Sequence, residues 1–340
     1  MESAGMICFF TCQSVLLILY QRDEKEGLRG RMKQKGIKLL KTIILAGWVF
    51  SACTAPVNVV QDESVETLPQ YKGKSGWMAF SAQVENTSPF EIFLLDLPSG
   101  RRIQITKNEI TDISPSISRD GTWMVFSSEK NGVYNLYKTA LPPEEPQPLA
   151  SLVADQTEPD ISPDGTSIVF QTDAYGDFDI MTIDPSTLNQ ERLTKLDSQE
   201  TQANWSPDGT QIAYLSDQDG DFEIFVMNSN GTGKTQLTQN DTYEASPVWS
   251  PDGEKIAFLS KRGLHFQIFT IDVSSGDEEQ ITDRQSTVHS PAWSPDGKQI
   301  AYIEENSNGS QINVLDIEKG ITYLLENEFS KYAGLTWVDH

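Results

Sequence analysis

Short apolar runs broken by polar residues recur along most of the chain, and none of them keeps the 3.6-residue period of a helix. Trp123 to Phe126, Ile168 to Phe170, Ile212 to Tyr214, Ile256 to Phe258 and Ile300 to Tyr302 each follow a Gly by a few positions. A second, alternating run comes next, as in Phe178-Asp179-Ile180-Met181 or Phe222 to Met227. A third ends in Leu193-Thr194, Leu237-Thr238 or Ile281-Thr282. Gly, Pro, Asn and Asp separate the runs, so the pattern predicts short strands joined by tight turns.

The pattern also has a fixed step. Ser162-Pro163-Asp164-Gly165, Ser206-Pro207-Asp208-Gly209, Ser250-Pro251-Asp252-Gly253 and Ser294-Pro295-Asp296-Gly297 are 44 residues apart, with Ser118-Arg119-Asp120-Gly121 a degenerate copy one step upstream. Trp205, Trp249, Trp293 and Trp337 keep the same interval. Adding the Trp-bearing segment to the three runs gives four strands per repeat, the make-up of a propeller blade. The first copy, around Trp77 to Phe80, Glu91 to Leu97 and Arg102 to Thr106, lacks a Trp-bearing strand, and the chain ends with one, Ala333 to Val338, that has no blade of its own. The C-terminal strand is therefore expected to join the first blade and close a ring that would otherwise have bare edges. The prediction is an all-β, six-bladed propeller of four-stranded blades over residues 64–340.

The repeats Pro247-Val248-Trp249-Ser250-Pro251-Asp252-Gly253 and Pro291 to Gly297, with Ile212-Ala213-Tyr214, Ile256-Ala257-Phe258 and Ile300-Ala301-Tyr302 after the turns, resemble the TolB-like β-propeller repeat family. TolB is a soluble periplasmic protein with a separate α/β domain ahead of its six-bladed propeller. No room for that domain is expected between Cys53 and the first blade. The resemblance implies the propeller and does not carry over the role of TolB in the Tol-Pal envelope system.

Ahead of the repeats the character changes. Met32 to Lys41 holds four lysines, Thr42 to Phe50 is apolar, and Ser51-Ala52-Cys53 follows. A basic start, a short apolar run and small residues are the parts of a secretory signal too short to span a bilayer. Phe50-Ser51-Ala52-Cys53 resembles a bacterial lipobox, which implies lipidation of Cys53, with a plain signal peptide or a buried helix as the alternatives. Thr54 stands where the family has Asp for inner-membrane retention, pointing to the periplasmic side of the outer membrane in a Gram-negative cell. Residues 32–52 are thus expected to be the signal peptide and 53–63 the lipidated Cys with a flexible tether. Residues 1–31 are expected to be an upstream extension from a wrongly assigned start, with Lys25-Glu26-Gly27 a translated ribosome-binding site before Met32.

With 26 Lys and Arg against 49 Asp and Glu, the net charge is −23, and removal of residues 1–52 takes it to −27. Nucleic-acid binding depends on clustered basic side chains that displace counterions, so this balance argues against it. It also means that membrane attachment comes through the lipid anchor only. Hydrophobic residues make up 38% of the chain, enough for a core, and cysteines occur only at Cys8, Cys12 and Cys53, so packing alone holds the repeats together.

Candidate chemistry is sparse. Ser-Pro-Asp-Gly reads as turn chemistry and the repeated Trp as core. Asp217-Gln218-Asp219-Gly220-Asp221-Phe222-Glu223 sets four carboxylates on alternate residues, with Asp173, Asp177 and Asp179 a partial repeat. Asp217, Asp219, Asp221 and Glu223 are a candidate Ca²⁺ site, although an EF-hand would need Gly at Phe222 and Glu at Asn228, and an Asp-Gly hairpin explains the run unaided. No Gly-x-Ser-x-Gly elbow, phosphate loop or zinc spacing occurs. The histidines are His265, His289 and His340. His289 is expected at the ring mouth, with Asp112, Glu158, Glu200 and Glu244 entering corresponding strands as candidate funnel residues. The sequence therefore points to a non-enzymatic, lipid-anchored envelope protein, a monomer whose propeller binds an envelope protein or peptide without a cofactor. The alternatives are a propeller lyase or hydrolase acting on polysaccharide or peptide, and a small-ligand or metal sensor.

Overall fold

The computed structural model describes residues 76–149, 154–307 and 309–339. The extension 1–31, the signal segment 32–52, Cys53 with the tether, and the start of the propeller at residue 64 lie outside the described residues. All the regular structure described is strand, β1 to β24 in chain order, in six antiparallel four-stranded sheets. Each sheet is one blade, ordered from its innermost strand outward.

The innermost strands of blades II to VI are β4 (Asp112–Ile117), β8 (Gln156–Ile161), β12 (Glu200–Trp205), β16 (Glu244–Trp249) and β20 (Thr287–Trp293). Blade I takes its innermost strand from the end of the chain, β24 (Lys331–Val338), which pairs with β1 (Trp77–Gln83) ahead of β2 (Glu91–Asp96) and β3 (Arg101–Gln104). Leu335 lies opposite Phe80 and Trp337 opposite Met78 in that pairing, so the first and last strands close the ring as the orphan Trp segment predicts.

Between the blades lies the core. The second strand of every blade supplies one aromatic, and Phe80, Phe126, Phe170, Tyr214, Phe258 and Tyr302 are all fully buried. Removing each such ring from water contributes roughly 2 kcal/mol or more. Trp205 and Trp249 are buried and join the clusters between adjacent blades, as their placement in the repeat implies.

The Ser-Pro-Asp-Gly segments are the turns that end the innermost strands. Ser206 Oγ donates to Asp208 Oδ1 at 2.6 Å, Thr210 N to the same oxygen at 3.0 Å, and Gly209 N to the Ser206 carbonyl at 2.9 Å. Hydrogen bonds from Ser206 and then Thr210 hold the Asp208 carboxyl below its ordinary value, so it stays charged. Gly209 sits at φ +71°, and a Cβ there would lie 3.6 Å from Pro163 of the previous turn. Successive turns therefore stack Gly against Pro around one end of the ring.

The Leu-Thr and Ile-Thr endings have a structural purpose that the sequence pattern leaves open. Thr106, Thr194, Thr238 and Thr282 each accept, through Oγ1, the backbone N–H of an Ile (92, 180, 224 or 268) at 2.8–2.9 Å, tying the outer edge of one blade back onto its third strand.

Candidate functional site: the central cavity

Every innermost strand carries one extra residue midway. In β12 the partners step from Glu200 and Thr201 opposite Ser216 and Leu215 to Asn204 and Trp205 opposite Ala213 and Ile212, which is a β-bulge. The residue at the bulge has positive φ in all six strands: Ser114, Glu158, Gln202, Ser246, Ser290 and Gly334 lie between +51° and +54°. Only the last is Gly, so five side chains are held in a left-handed backbone that costs each about 1 kcal/mol. A bulge re-aims the strand beyond it, and here it separates an upper half packed inside the blade from a lower half that walls the axis.

The lower halves and their turns enclose a cavity of about 530 Å³ that runs from the bulges to the turns. Its wall repeats the same few residue types: Pro115, Pro159, Pro247 and Pro291 after the bulge, then the four tryptophans, then the turn prolines Pro163, Pro207, Pro251 and Pro295. Arg119 stands where those turns have Pro, and its Nη1 donates to the Pro207 carbonyl, two blades away, at 3.2 Å. It is the one basic side chain among the described lining residues.

Polar positions in the wall link neighbouring blades. Ser116 Oγ accepts Ile161 N at 3.2 Å, Asp160 Oδ2 accepts Trp205 N at 2.8 Å, and Asn204 Oδ1 accepts Trp249 N at 3.0 Å. Asp160 also accepts from Asn204 Nδ2 and Ser116 Oγ. Its removal from water outweighs those bonds and pushes its carboxyl up to about 6.

Among the five residues expected at a mouth, Glu158 lines this cavity. Asp112, Glu200 and Glu244 lie at the opposite end of the innermost strands, fully buried within their blades. Asn108 Nδ2 donates to Asp112 at 2.7 Å, Ser198 and Ser216 hydroxyls to Glu200 at 2.5 and 3.1 Å, and Thr238 Oγ1 and Asn240 Nδ2 to Glu244 at 2.6 and 2.9 Å. Each has a second carboxylate beside it, Glu91, Asp179 or Glu223, reached through Thr106, Thr194 or Thr238. Burial raises all three, Glu244 to about 7 with Glu223 and Glu278 adding to the rise.

His289 is buried too, with Ser290 Oγ 3.1 Å from Nδ1 and Glu305 Oε1 3.5 Å from Nε2. Burial lowers its pKa against the pull of Glu305. Of the candidate calcium residues, Asp217 accepts Gln199 N, Asp219 accepts Gln236 Nε2, and Glu223 accepts Asn240 N. Among the described residues no three or more His, Cys, Asp or Glu side chains converge as metal ligands.

Fold and cavity together define a closed six-bladed β-propeller with a turn-rimmed axial pocket. The family model described as the TolB beta propeller domain matches residues 53–204 and 196–333, and the chain belongs to that family. TolB from Acinetobacter baumannii superposes with a TM-score of 0.68 at 20% identity, covering 77% of this chain and 66% of that one. The putative TolB from Agrobacterium tumefaciens gives 0.62 at 20% identity, over 79% and 100%. A third likeness is to an oligogalacturonate lyase in complex with manganese, 0.54 at 15%, over 75% of both chains. At such identities the likeness is one of fold. No curated protein matches the sequence.

Proposed function

We propose that this chain is a lipid-anchored protein of the bacterial cell envelope whose propeller serves as a binding scaffold, with the axial cavity taking an extended peptide segment of a partner protein. The observation that carries this reading is the cavity itself. At about 530 Å³ it falls within the size range of ligand pockets, and its wall mixes prolines and tryptophans with polar groups such as Asp160, Asn204 and Arg119. Prolines, with the half-buried Trp293 and Trp337, suit an extended chain, because rigid apolar surfaces beside hydrogen-bonding groups lose little entropy on contact. Membership of the TolB propeller family supports the envelope setting.

A photo-crosslinking side chain at Thr336, in the cavity wall, tests the reading in intact cells, with Glu145 on an exposed loop as the comparison position. A single protein adduct from Thr336 and none from Glu145 is expected; adducts from both or from neither refute a cavity partner. Lipid attachment is tested separately by labelling cells with a radioactive fatty acid, which should mark the wild type and leave Cys53→Ala unlabelled and soluble.

A further inference from the structure

A different surface lies at the end of the ring away from the turns. The register of blade IV puts Glu200, Ser216 and Glu223 side by side at that end, and Trp205, Gln211 and Asn228 at the turn end. The loop between Ser216 and Glu223 is the acidic run Asp217 to Phe222. Phe222 stacks edge-on against Tyr243 with centroids 5.6 Å apart, and Tyr243 against Phe266 at 6.2 Å. The three rings come from three loops and bridge blades IV and V as one half-buried row. An aromatic at the place of Phe222 recurs at the 44-residue step as Phe178 and Phe266, but the steps either side of Tyr243 hold Gln199 and Thr287. The continuous row is therefore confined to this junction.

Beside it, Leu264 is 88% exposed on the loop that carries Phe266. Asp217, Asp219, Asp221 and Asp241 rim the other side, and none of the four makes an ion pair among the described residues. They are close enough to feel one another: burial and then repulsion from Asp219 and Asp241 raise the Asp221 carboxyl. Lys261, whose Nζ lies over the Phe266 ring at 5.8 Å from its centroid, makes no ion pair with any of the four among the described residues, so the two loops hold like charges together without a paired cation. Such crowding costs stability, and it is relieved when a partner brings positive charge.

We infer that the Phe222–Tyr243–Phe266 row and its aspartate rim form a docking surface for a Lys- or Arg-bearing segment of another protein. The methylene stems of Lys or Arg lie along the rings while the charged ends reach Asp219, Asp221 and Asp241, with the ring faces adding cation–π attraction. This surface is separate from the axial cavity, so the two readings stand or fall independently.

The test uses the full chain and a fluorescein-labelled nonapeptide of alternating Lys and Leu, read by anisotropy at 150 mM salt, with the Glu-for-Lys peptide as counterpart. The triple variant Asp219→Asn, Asp221→Asn, Asp241→Asn should bind the basic peptide about tenfold more weakly, the sum of three modest ion pairs. A charge-matched triple variant at exposed positions of the turn end, Glu145→Gln, Glu254→Gln, Glu318→Gln, should bind as the wild type does. Leu264→Ser, which removes no buried contact, should weaken binding about twofold to fivefold if the methylenes lie where we place them. Equal losses in the two triple variants reduce the effect to overall charge and overturn the inference. So does failure of the wild type to prefer the Lys peptide, or binding of Ca²⁺ by the aspartate rim in calorimetry without binding of the peptide.

Discussion

Replacing Asp160 by Asn keeps the side-chain shape and one acceptor but removes a titration. The carboxyl goes from an ordinary 3.8 up to about 6 in the folded chain. A folded pKa above the unfolded one means that the group's contribution is fully present below the unfolded value and is lost as pH rises through the folded value. Between pH 4.5 and 8 the wild type should therefore lose up to about 2 kcal/mol that Asp160→Asn does not lose. Because Asp160 is half-buried and opens to the cavity, water there can reduce the figure but not reverse its sign. The hydrogen bonds gained or lost by the amide are the same at both pH values, and so are the other buried carboxyls, so the difference between the two proteins isolates this one group. Urea unfolding followed by tryptophan fluorescence at pH 4.5 and 8 measures it. A gap between wild type and variant that does not change with pH refutes the reasoning. It would mean that the bonds from Trp205, Asn204 and Ser116 fully offset desolvation, and a gap that changes in the opposite sense would mean that they outweigh it.

The remaining expectations concern the same fold. Asp112, Glu200, Glu223 and Glu244 are all raised by burial, so stability present in mild acid should fall as pH rises through their folded values, with Glu244 near 7, and a scan of Tm should decline from about pH 5.5 to 8. Ser246→Gly relieves a left-handed φ of +51° while adding unfolded-state freedom, and the urea midpoint should show a net gain of about 0.5 kcal/mol. Deleting residues 331–340 uncovers β1 and removes the buried Tyr332 and Leu335, a loss of roughly 5 kcal/mol or more that approaches total stability. Near-ultraviolet circular dichroism should show lost tertiary packing, restored in part when the peptide 331–340 is supplied in trans; unchanged spectra after truncation would count against closure by β24.

Blade number, strand order and ring closure were legible because one repeat step carried them: a Trp, a turn and an alternating run recurring together leave little freedom. The site was harder to read. Asp112, Glu158, Glu200, Glu244 and His289 look alike in sequence as polar residues entering Trp-bearing strands, yet they occupy three different places. Asp112, Glu200 and Glu244 precede the bulge and face Ser, Thr or Asn inside the blade, Glu158 sits on the bulge, and His289 falls between. A bulge adds one residue without any mark in the hydrophobic alternation, and a buried acid satisfied by hydroxyls looks the same in sequence as an exposed one. The recurring Pro two residues ahead of Trp, at Pro247 and Pro291, was the available signal for the wall. The aromatic row escaped notice because Tyr243 belongs to an irregular loop whose partners are about 20 residues away on either side.

The wall positions 116, 160, 204, 248, 292 and 336 give the ring a lopsided mechanical character. Ser, Asp and Asn clamp three successive junctions by accepting a backbone N–H from the next blade, whereas Val248 and Ala292 have no polar atom to offer at the two junctions that follow. At the wall one arc is cross-braced from strand to strand, whereas the polar ties of the other lie elsewhere: Trp293 Nε1 donates to the Val248 carbonyl between blades V and VI, and between blades VI and I Arg102 pairs with Glu326 and Glu328 while the Tyr332 hydroxyl donates to Glu326, outside the cavity lining. Breathing at the wall is thereby directed to the strands of blades V, VI and I, which include the seam between the first and last strands. A ligand drawn into the axis would meet a stiff wall on one side and a yielding one on the other.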